Sequence, residues 1–172
     1  MTTNPIIKFT SYGLYSFILI HSIQGILIWR TNVGKKGSKY AVPSKNTNWA
    51  ASNMGILGTI ILVFLLIHLY QFWLKHKLGV IDTVMVDGVE VTDFYGIVAA
   101  IYTNLFFVIF YVLAMIVIGL HLSHGFQSAF QTLGLNHKKY TPIIKALGTG
   151  YSVLVPLGFA IIPIWMYLAQ LK

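Results

Sequence analysis

Three of the six histidines in this sequence, His21, His68 and His121, lie inside long stretches of apolar residues. Imidazole is the side chain with which membrane proteins bind metals and move protons. The chain has no cysteine, so any metal that it binds must be held by histidine. Because the apolar stretches contain no Asp, Glu, Lys or Arg, a proton relay would lack charged partners. The residue types therefore favour histidines that ligate a metal or haem. The alternative is a haem-free subunit that relays protons or takes part in transport.

The composition indicates the kind of protein that must position these histidines. The chain has 172 residues, of which 56% are hydrophobic and 9% are charged, whereas a soluble domain carries roughly 25% charged residues. The net charge of +8 comes from Lys and Arg placed between apolar segments, where such residues orient a chain in a membrane. We therefore predict an all-α integral membrane protein, with residues 1–172 as a single transmembrane domain, and expect no nucleic-acid partner.

Four apolar segments are long enough to cross a bilayer, whose hydrocarbon core of roughly 30 Å needs about 20 helical residues. The predicted spans cover about residues 9–30, 50–74, 97–126 and 147–169. Together they predict a four-helix bundle, the architecture in which cofactors are commonly held between facing helices.

The basic residues predict the orientation of these spans. The loops after the first and third spans carry eight of the twelve, which places these loops in the cytoplasm. The predicted inner residues are Arg30, Lys35, Lys36, Lys39, Lys45, Lys138, Lys139 and Lys145, and the outer ones are Lys8, Lys75, Lys77 and Lys172. Two short alternating runs joined by Asp87-Gly88 predict a small hairpin over residues 84–91 on the outer surface.

Depth in the membrane pairs two of the three histidines. His21 lies nine residues before Arg30, at the inner end of its span, and His121 also lies toward the inner end of its span. His68 lies seven residues before Lys75, toward the outer end of its span. Two imidazoles at one depth on different helices are what a b-type haem needs, with iron bound through Nε2 and Nδ1–H bonded to a nearby backbone carbonyl.

The residues near the paired histidines leave alternatives open. Gly25 and Gly125 lie four residues after His21 and His121 and would leave room for a flat macrocycle. His124, three residues after His121, could be the ligand instead, or bond a propionate. Each intramembrane histidine could also be a packing residue, a proton carrier or a quinone partner. For His76 and His137, in loops flanked by lysine, we expect a solvated surface position.

Four segments resemble one known family, the cytochrome b558 membrane subunit of bacterial succinate dehydrogenase/fumarate reductase, of the single-chain dihaem type found in Bacteroidetes-like bacteria. The resemblance covers nearly the whole chain and is most specific in the third span. The segments that carry it are residues 53–58 (NMGILG), 67–73 (IHLYQFW), 119–134 (GLHLSHGFQSAFQTLG) and 156–163 (PLGFAIIP).

The resemblance implies a multi-pass subunit of the bacterial inner membrane that binds haem b and exchanges electrons with a quinone, expected to be menaquinone. It implies that an iron–sulfur subunit and a flavoprotein subunit dock on the cytoplasmic face, and that succinate and fumarate chemistry takes place on the flavin rather than here. Carried over by motif, His21 and His121 would ligate the inner haem, and His68 would ligate the outer haem. A b-type cytochrome of another respiratory complex is a further alternative.

The sequence departs from this family in one respect. The family has five helices, and the first, which carries the other ligand of the outer haem, has no counterpart here. We expect the sequence to be a fragment of a longer protein; otherwise another chain supplies that helix, or the outer haem is five-coordinate or missing. The polar residues expected near quinone are Gln24, Tyr70, Gln71 and Trp73, and those expected near the inner propionates are Arg30 and the lysines of the first inner loop.

Overall fold

The computed structural model describes residues 4–35, 49–135 and 137–172. It is about 80% helical, as expected for an all-α membrane protein. Within these residues, four helical segments are long and apolar enough to cross a membrane, in agreement with the predicted number. They are Pro5–Val33, Met54–Lys77, Leu105–Thr132 and Thr141–Gln170. The chain divides into two compact units, residues 1–59 and residues 60–172, which we describe separately.

The first unit contains α1 (Pro5–Lys35), the short α2 (Trp49–Ser52) and the beginning of α3 (Met54–His68). Large apolar side chains are exposed along the length of α1, as on a helix that is solvated by lipid. Gly55 lies so close to the indole of Trp29 that a Cβ at this position would overlap the ring.

The second unit begins within α3, which continues into a π-helical segment, Leu69–Leu74, and a final turn, α4 (Lys75–Lys77). π-helical turns are rare and are frequently found at functional sites. This one begins at the residue after His68, so the second predicted span is not a regular α-helix throughout.

The predicted hairpin is confirmed. Strands β1 (Thr83–Val86) and β2 (Val89–Thr92) pair antiparallel. The two residues between them, Asp87 and Gly88, have φ angles of +50° and +79°. Positive φ at both central positions is the requirement of a type I′ turn, which Asp-Gly satisfies at little steric cost.

The third predicted span begins at the wrong residue. Instead of one helix over residues 97–126, α5 (Phe94–Ile101) ends before Asn104, and a new helix, α6 (Leu105–Thr132), carries the span. Asn104 has an extended backbone (φ −91°, ψ 112°), and its side-chain oxygen accepts a hydrogen bond from the Phe106 N–H. Asparagine in this position is an N-cap, so it starts a helix instead of continuing one.

The third predicted span also ends too early, because α6 continues to Thr132. Its end is set by Gly134, which has a φ of +71°. The Leu135 N–H donates to the Phe130 carbonyl at 3.0 Å, and the Gly134 N–H donates to the Gln131 carbonyl at 3.1 Å. This pair of bonds is a Schellman motif, which terminates helices at a glycine.

The fourth helix, α7 (Thr141–Gln170), begins six residues before the predicted position 147 and packs along α6. A Cβ on Gly119 would lie 2.9 Å from the carbonyl oxygen of Ser152 and 3.7 Å from the ring of Pro156. The two backbones can approach this closely because glycine lacks a side chain, as is common between membrane helices. The core of the second unit lies beside this contact and consists of Phe64, Tyr102, Val108, Tyr111, Ala114, Met115 and Ala160.

Candidate functional site

His68 occupies the last position of α3 and is surrounded by aromatic rings. Its imidazole stacks on Phe64, with ring centroids 5.7 Å apart, and makes a tilted contact with Phe72 at 5.0 Å. These contacts restrict the ring to a narrow range of orientations. The imidazole is half-buried, so it is neither sealed in the core nor free in solvent.

Two hydrogen bonds connect His68 to buried polar groups. Nδ1 of His68 lies 3.3 Å from the hydroxyl oxygen of Tyr111 on α6. That hydroxyl donates to Oε1 of Gln71, in the π-helical segment, at 2.6 Å. Tyr111 is 5% exposed and Gln71 is 7% exposed, so the bond between them is buried, whereas the contact of Tyr111 with half-buried His68 is partly buried.

The direction of the bond from Tyr111 to Gln71 bears on the tautomer of His68. A tyrosine hydroxyl has a single proton, and here Gln71 accepts it. With its proton given to Gln71, the hydroxyl oxygen can bond to His68 only as an acceptor, which requires the imidazole proton on Nδ1. Nε2 retains its lone pair, which is the state that a histidine needs to ligate a metal through Nε2.

His68 and His121 lie at different levels along α6. His68 contacts Tyr111, which precedes His121 by ten residues on the same helix. At 1.5 Å per residue, this separation is about 15 Å along the helix axis. This separation disfavours a single cofactor ligated by both histidines. It fits better with one binding site at the level of each histidine.

His121 lies in the part of α6 that packs closely on α7. Gly119 lies against the Ser152 carbonyl, and the ring of Phe126 lies against Gly148. The Nδ1 atom of His121 is buried, although the residue as a whole is half-buried. His124 is also half-buried on the same helix. Burial therefore does not distinguish the two, and the choice of His121 as ligand stays a prediction.

His21 lies in α1, in the first unit, and is exposed. Within that unit, the space where Gly25 would carry a Cβ is open to a distance of 4 Å. Such space is compatible with a flat group beside the helix. Since His121 belongs to the second unit, the pairing of His21 with His121 also stays a prediction.

The two loop histidines have local contacts at the ends of helices. The ring of His76 contacts Phe94 at 5.0 Å. Nδ1 of His137 accepts from the Lys139 N–H at 3.2 Å, and the His137 N–H donates to the Thr141 hydroxyl at the start of α7. Both residues are exposed, as expected from their sequence context.

The residues expected near a quinone fall into two groups. Gln24, Tyr70 and Trp73 are exposed, whereas Gln71 is buried and bonded to Tyr111. Gln71 is therefore better placed to hold Tyr111 than to line a pocket. Of the residues expected near the propionates, Arg30 lies in α1. The others lie outside the described residues, namely the side chain of Lys35 and the whole of Lys36, Lys39 and Lys45.

The surroundings of His68 can be compared with what a haem requires of its ligand. In the described ranges, no three His, Asp or Glu side chains come together as a metal site. A b-type haem needs one or two imidazoles and an apolar surround, because the porphyrin supplies the other four ligands. His68, with Nδ1 bonded and aromatic rings on its faces, meets that requirement.

Tyr111 is the residue of this site that the sequence did not indicate. It is one of ten tyrosines and lies in an apolar run in which aromatic residues are common. Its spacing of ten residues from His121 matches no motif that would mark it as functional. Only the packing of α3 against α6 brings it to His68.

Comparison of the chain with known protein families, with curated proteins and with solved structures finds no match. The four apolar helices define it as a multi-pass, all-α membrane protein.

Proposed function

We propose that this chain is the haem b-binding membrane-anchor subunit of a succinate:quinone oxidoreductase in a bacterial inner membrane. The observation that carries the proposal is the state of His68. It lies in an apolar helix, bonded through Nδ1 to a buried tyrosine, so that Nε2 is left with its lone pair. A bond from Nδ1 to a neighbouring group is the usual arrangement of a histidine that ligates a metal through Nε2.

The three intramembrane histidines have distinct roles in this proposal. His21 and His121 hold the inner haem, and His68 holds the outer one. Bound haem b supplies a one-electron redox centre inside the bilayer. The separation of about 15 Å between the levels of His68 and His121 supports two centres over one.

The residues of this chain orient and shield the haems. Phe64 and Phe72 flank the His68 ring, and apolar surroundings of this kind control solvent access and redox potential. Electrons pass between an iron–sulfur subunit on the cytoplasmic face and menaquinone in the membrane. Succinate and fumarate are converted on a separate flavoprotein subunit, so this chain has an electron-transfer role in the enzyme without dicarboxylate chemistry of its own.

The haem part of the proposal is tested by a reduced-minus-oxidised spectrum of the purified membrane protein. We expect the α band of a b-type cytochrome, a loss of part of it in His21→Ala and in His121→Ala, and a loss of a different part in His68→Ala. His76→Ala is the matched control, because His76 is exposed beyond the apolar helix. Absence of the band from the wild-type protein would overturn the haem assignment.

The partner part is tested by affinity purification from native membranes under mild detergent. Covalent flavin, iron–sulfur signals and succinate oxidation should copurify with the chain. If the haem band is present but these partners are replaced by others, the chain is a b-type cytochrome of a different respiratory complex.

A further inference from the structure

We infer that Tyr111 and Gln71 form a positioning pair that fixes His68 in the Nδ1–H tautomer, with Nε2 directed to ligation. The inference rests on the proposed function in so far as His68 is taken to bind haem. It assigns a role to two residues that are connected to His68 by hydrogen bonds, Tyr111 directly and Gln71 through the Tyr111 hydroxyl. Both act through His68, so they are positioning residues.

The first step of the argument is the order of the protons. Gln71 Oε1 can only accept, and at 2.6 Å from the Tyr111 oxygen it makes the shorter of the two bonds. The contact between His68 Nδ1 and the same oxygen is longer, at 3.3 Å. Its direction follows from whether the hydroxyl proton is already donated to Gln71. Gln71 thereby decides the tautomer of His68 from two bonds away.

The second step is the backbone that presents Gln71. The residue lies within the π-helical segment that starts directly after His68. A π-helical turn has a wider hydrogen-bond ring than an α-helical turn, and such turns are frequently found at functional sites. Gln71 and His68 therefore contact the hydroxyl of Tyr111 from one continuous helical segment, whereas Tyr111 lies on α6.

The third step is that packing alone does not account for the hydroxyl. Tyr111 contacts Phe64 edge-on at 5.2 Å and Tyr102 edge-on at 5.3 Å. A phenylalanine would make the same ring contacts without placing a polar atom in an apolar bundle. Burying a hydroxyl group costs free energy unless the group is hydrogen-bonded. The bonds to His68 and Gln71 offset this cost, and we infer that they are the reason for a tyrosine at this position.

Tyr102 provides a matched control for the loss of a hydroxyl. It belongs to the same aromatic cluster and is also 5% exposed. Its ring contacts Tyr111, but its hydroxyl does not belong to the chain of bonds from His68 through Tyr111 to Gln71. Tyr102→Phe therefore removes a hydroxyl from the same cluster while keeping the ring contact with Tyr111 and the bonds from His68 through Tyr111 to Gln71.

The first experiment measures the tautomer directly. The full-length chain, produced without haem, is labelled with 15N-histidine and studied by solid-state NMR in lipid bilayers, with His68→Asn to assign the signal of His68. We expect protonated Nδ1 in the wild-type protein and in Tyr102→Phe. In Gln71→Leu the tyrosine proton is released to donate to Nδ1, so the signal should change to protonated Nε2.

The second experiment measures haem retention during detergent washing, read as b-type absorbance per chain. Tyr111→Phe and Gln71→Leu should each weaken retention of the haem bound by His68 by about 10- to 100-fold, the usual effect of losing a partner of a metal-bound histidine. Tyr102→Phe should behave as the wild-type protein does, and His68→Ala should lose this haem entirely.

The outcomes separate the two proposals. Protonated Nε2 on wild-type His68, or full haem retention in both Tyr111→Phe and Gln71→Leu, would overturn the positioning pair while leaving the haem assignment intact. A wild-type protein that binds no haem would overturn the proposed function, and the NMR signal would still decide whether the pair sets the tautomer.

Discussion

Nδ1 of His68 lies 3.3 Å from the hydroxyl oxygen of Tyr111, a contact that joins the end of α3 to the N-terminal part of α6. The contact lies inside the aromatic core of the second unit, and Gln71 completes it from the π-helical segment. It therefore connects a residue that can bind a cofactor with the packing that holds two membrane helices together.

Loss of the Tyr111 hydroxyl should also lower stability. Tyr111→Phe leaves buried Gln71 and His68 without their shared partner, and we expect a loss of about 0.5–2 kcal/mol, the range for hydrogen bonds between membrane helices. Unfolding in mixed micelles by increasing SDS measures this change. Tyr102→Phe is the control, and an equal loss in both variants would show that the hydroxyl bonds add nothing specific.

The close approach of α6 and α7 should make Gly119 sensitive to the smallest side chain. In Gly119→Ala the new Cβ would lie 2.9 Å from the Ser152 carbonyl oxygen. Because both partners are backbone, the helices must separate, at an expected cost of about 1–3 kcal/mol.

The matched control for this prediction is Gly158→Ala. Gly158 is also helical, but among the described residues the space around its Cβ position is open to 4 Å. We expect no loss there, and up to about 1 kcal/mol of gain from helix propensity. The same SDS titration compares the two, and an undisturbed Gly119→Ala would contradict the close packing.

The cap at Asn104 should control where α6 begins. Asn104→Ala removes the acceptor for the Phe106 N–H, and we expect a loss of about 0.5–2 kcal/mol at this helix start. Amide hydrogen exchange at Phe106 should be faster as a result. Asn104→Ser retains a capping oxygen and should restore protection; if Asn104→Ala exchanges at the wild-type rate, the cap is not what divides α5 from α6.

The path of α6 predicts that its two flanking segments lie on opposite sides of the membrane. Because the natural chain has no cysteine, Met85→Cys in the hairpin and Lys139→Cys before α7 each give a single labelling site, and both positions are exposed. In sealed vesicles of one orientation, an impermeant maleimide should label one variant and not the other. The positive-inside rule predicts Lys139→Cys on the cytoplasmic side. Labelling of both from one side would exclude the crossing.

Local sequence features determined several elements directly. The number of apolar helices follows from the length and charge-free character of each run, because the bilayer requires about 20 apolar residues regardless of what they contact. The hairpin follows from Asp87-Gly88, because only a few residues tolerate two successive positive φ angles. Asn104 and Gly134 were also readable as a helix start and a helix end, although the predicted third span passed over the first and stopped short of the second.

The tertiary structure decided the features that depend on contacts between distant residues. The packing of α3 on α6 brings one of the ten tyrosines, Tyr111, to His68, and it makes Gln71, which was expected to line a quinone site, a buried acceptor. Because His68 contacts Tyr111, the same packing places it at a level about 15 Å from His121, measured along the axis of α6. The sequence could place histidines in apolar helices because hydrophobic patterning is local. It could not show which ring nitrogen carries the proton, because that depends on a hydroxyl 43 positions away along the chain.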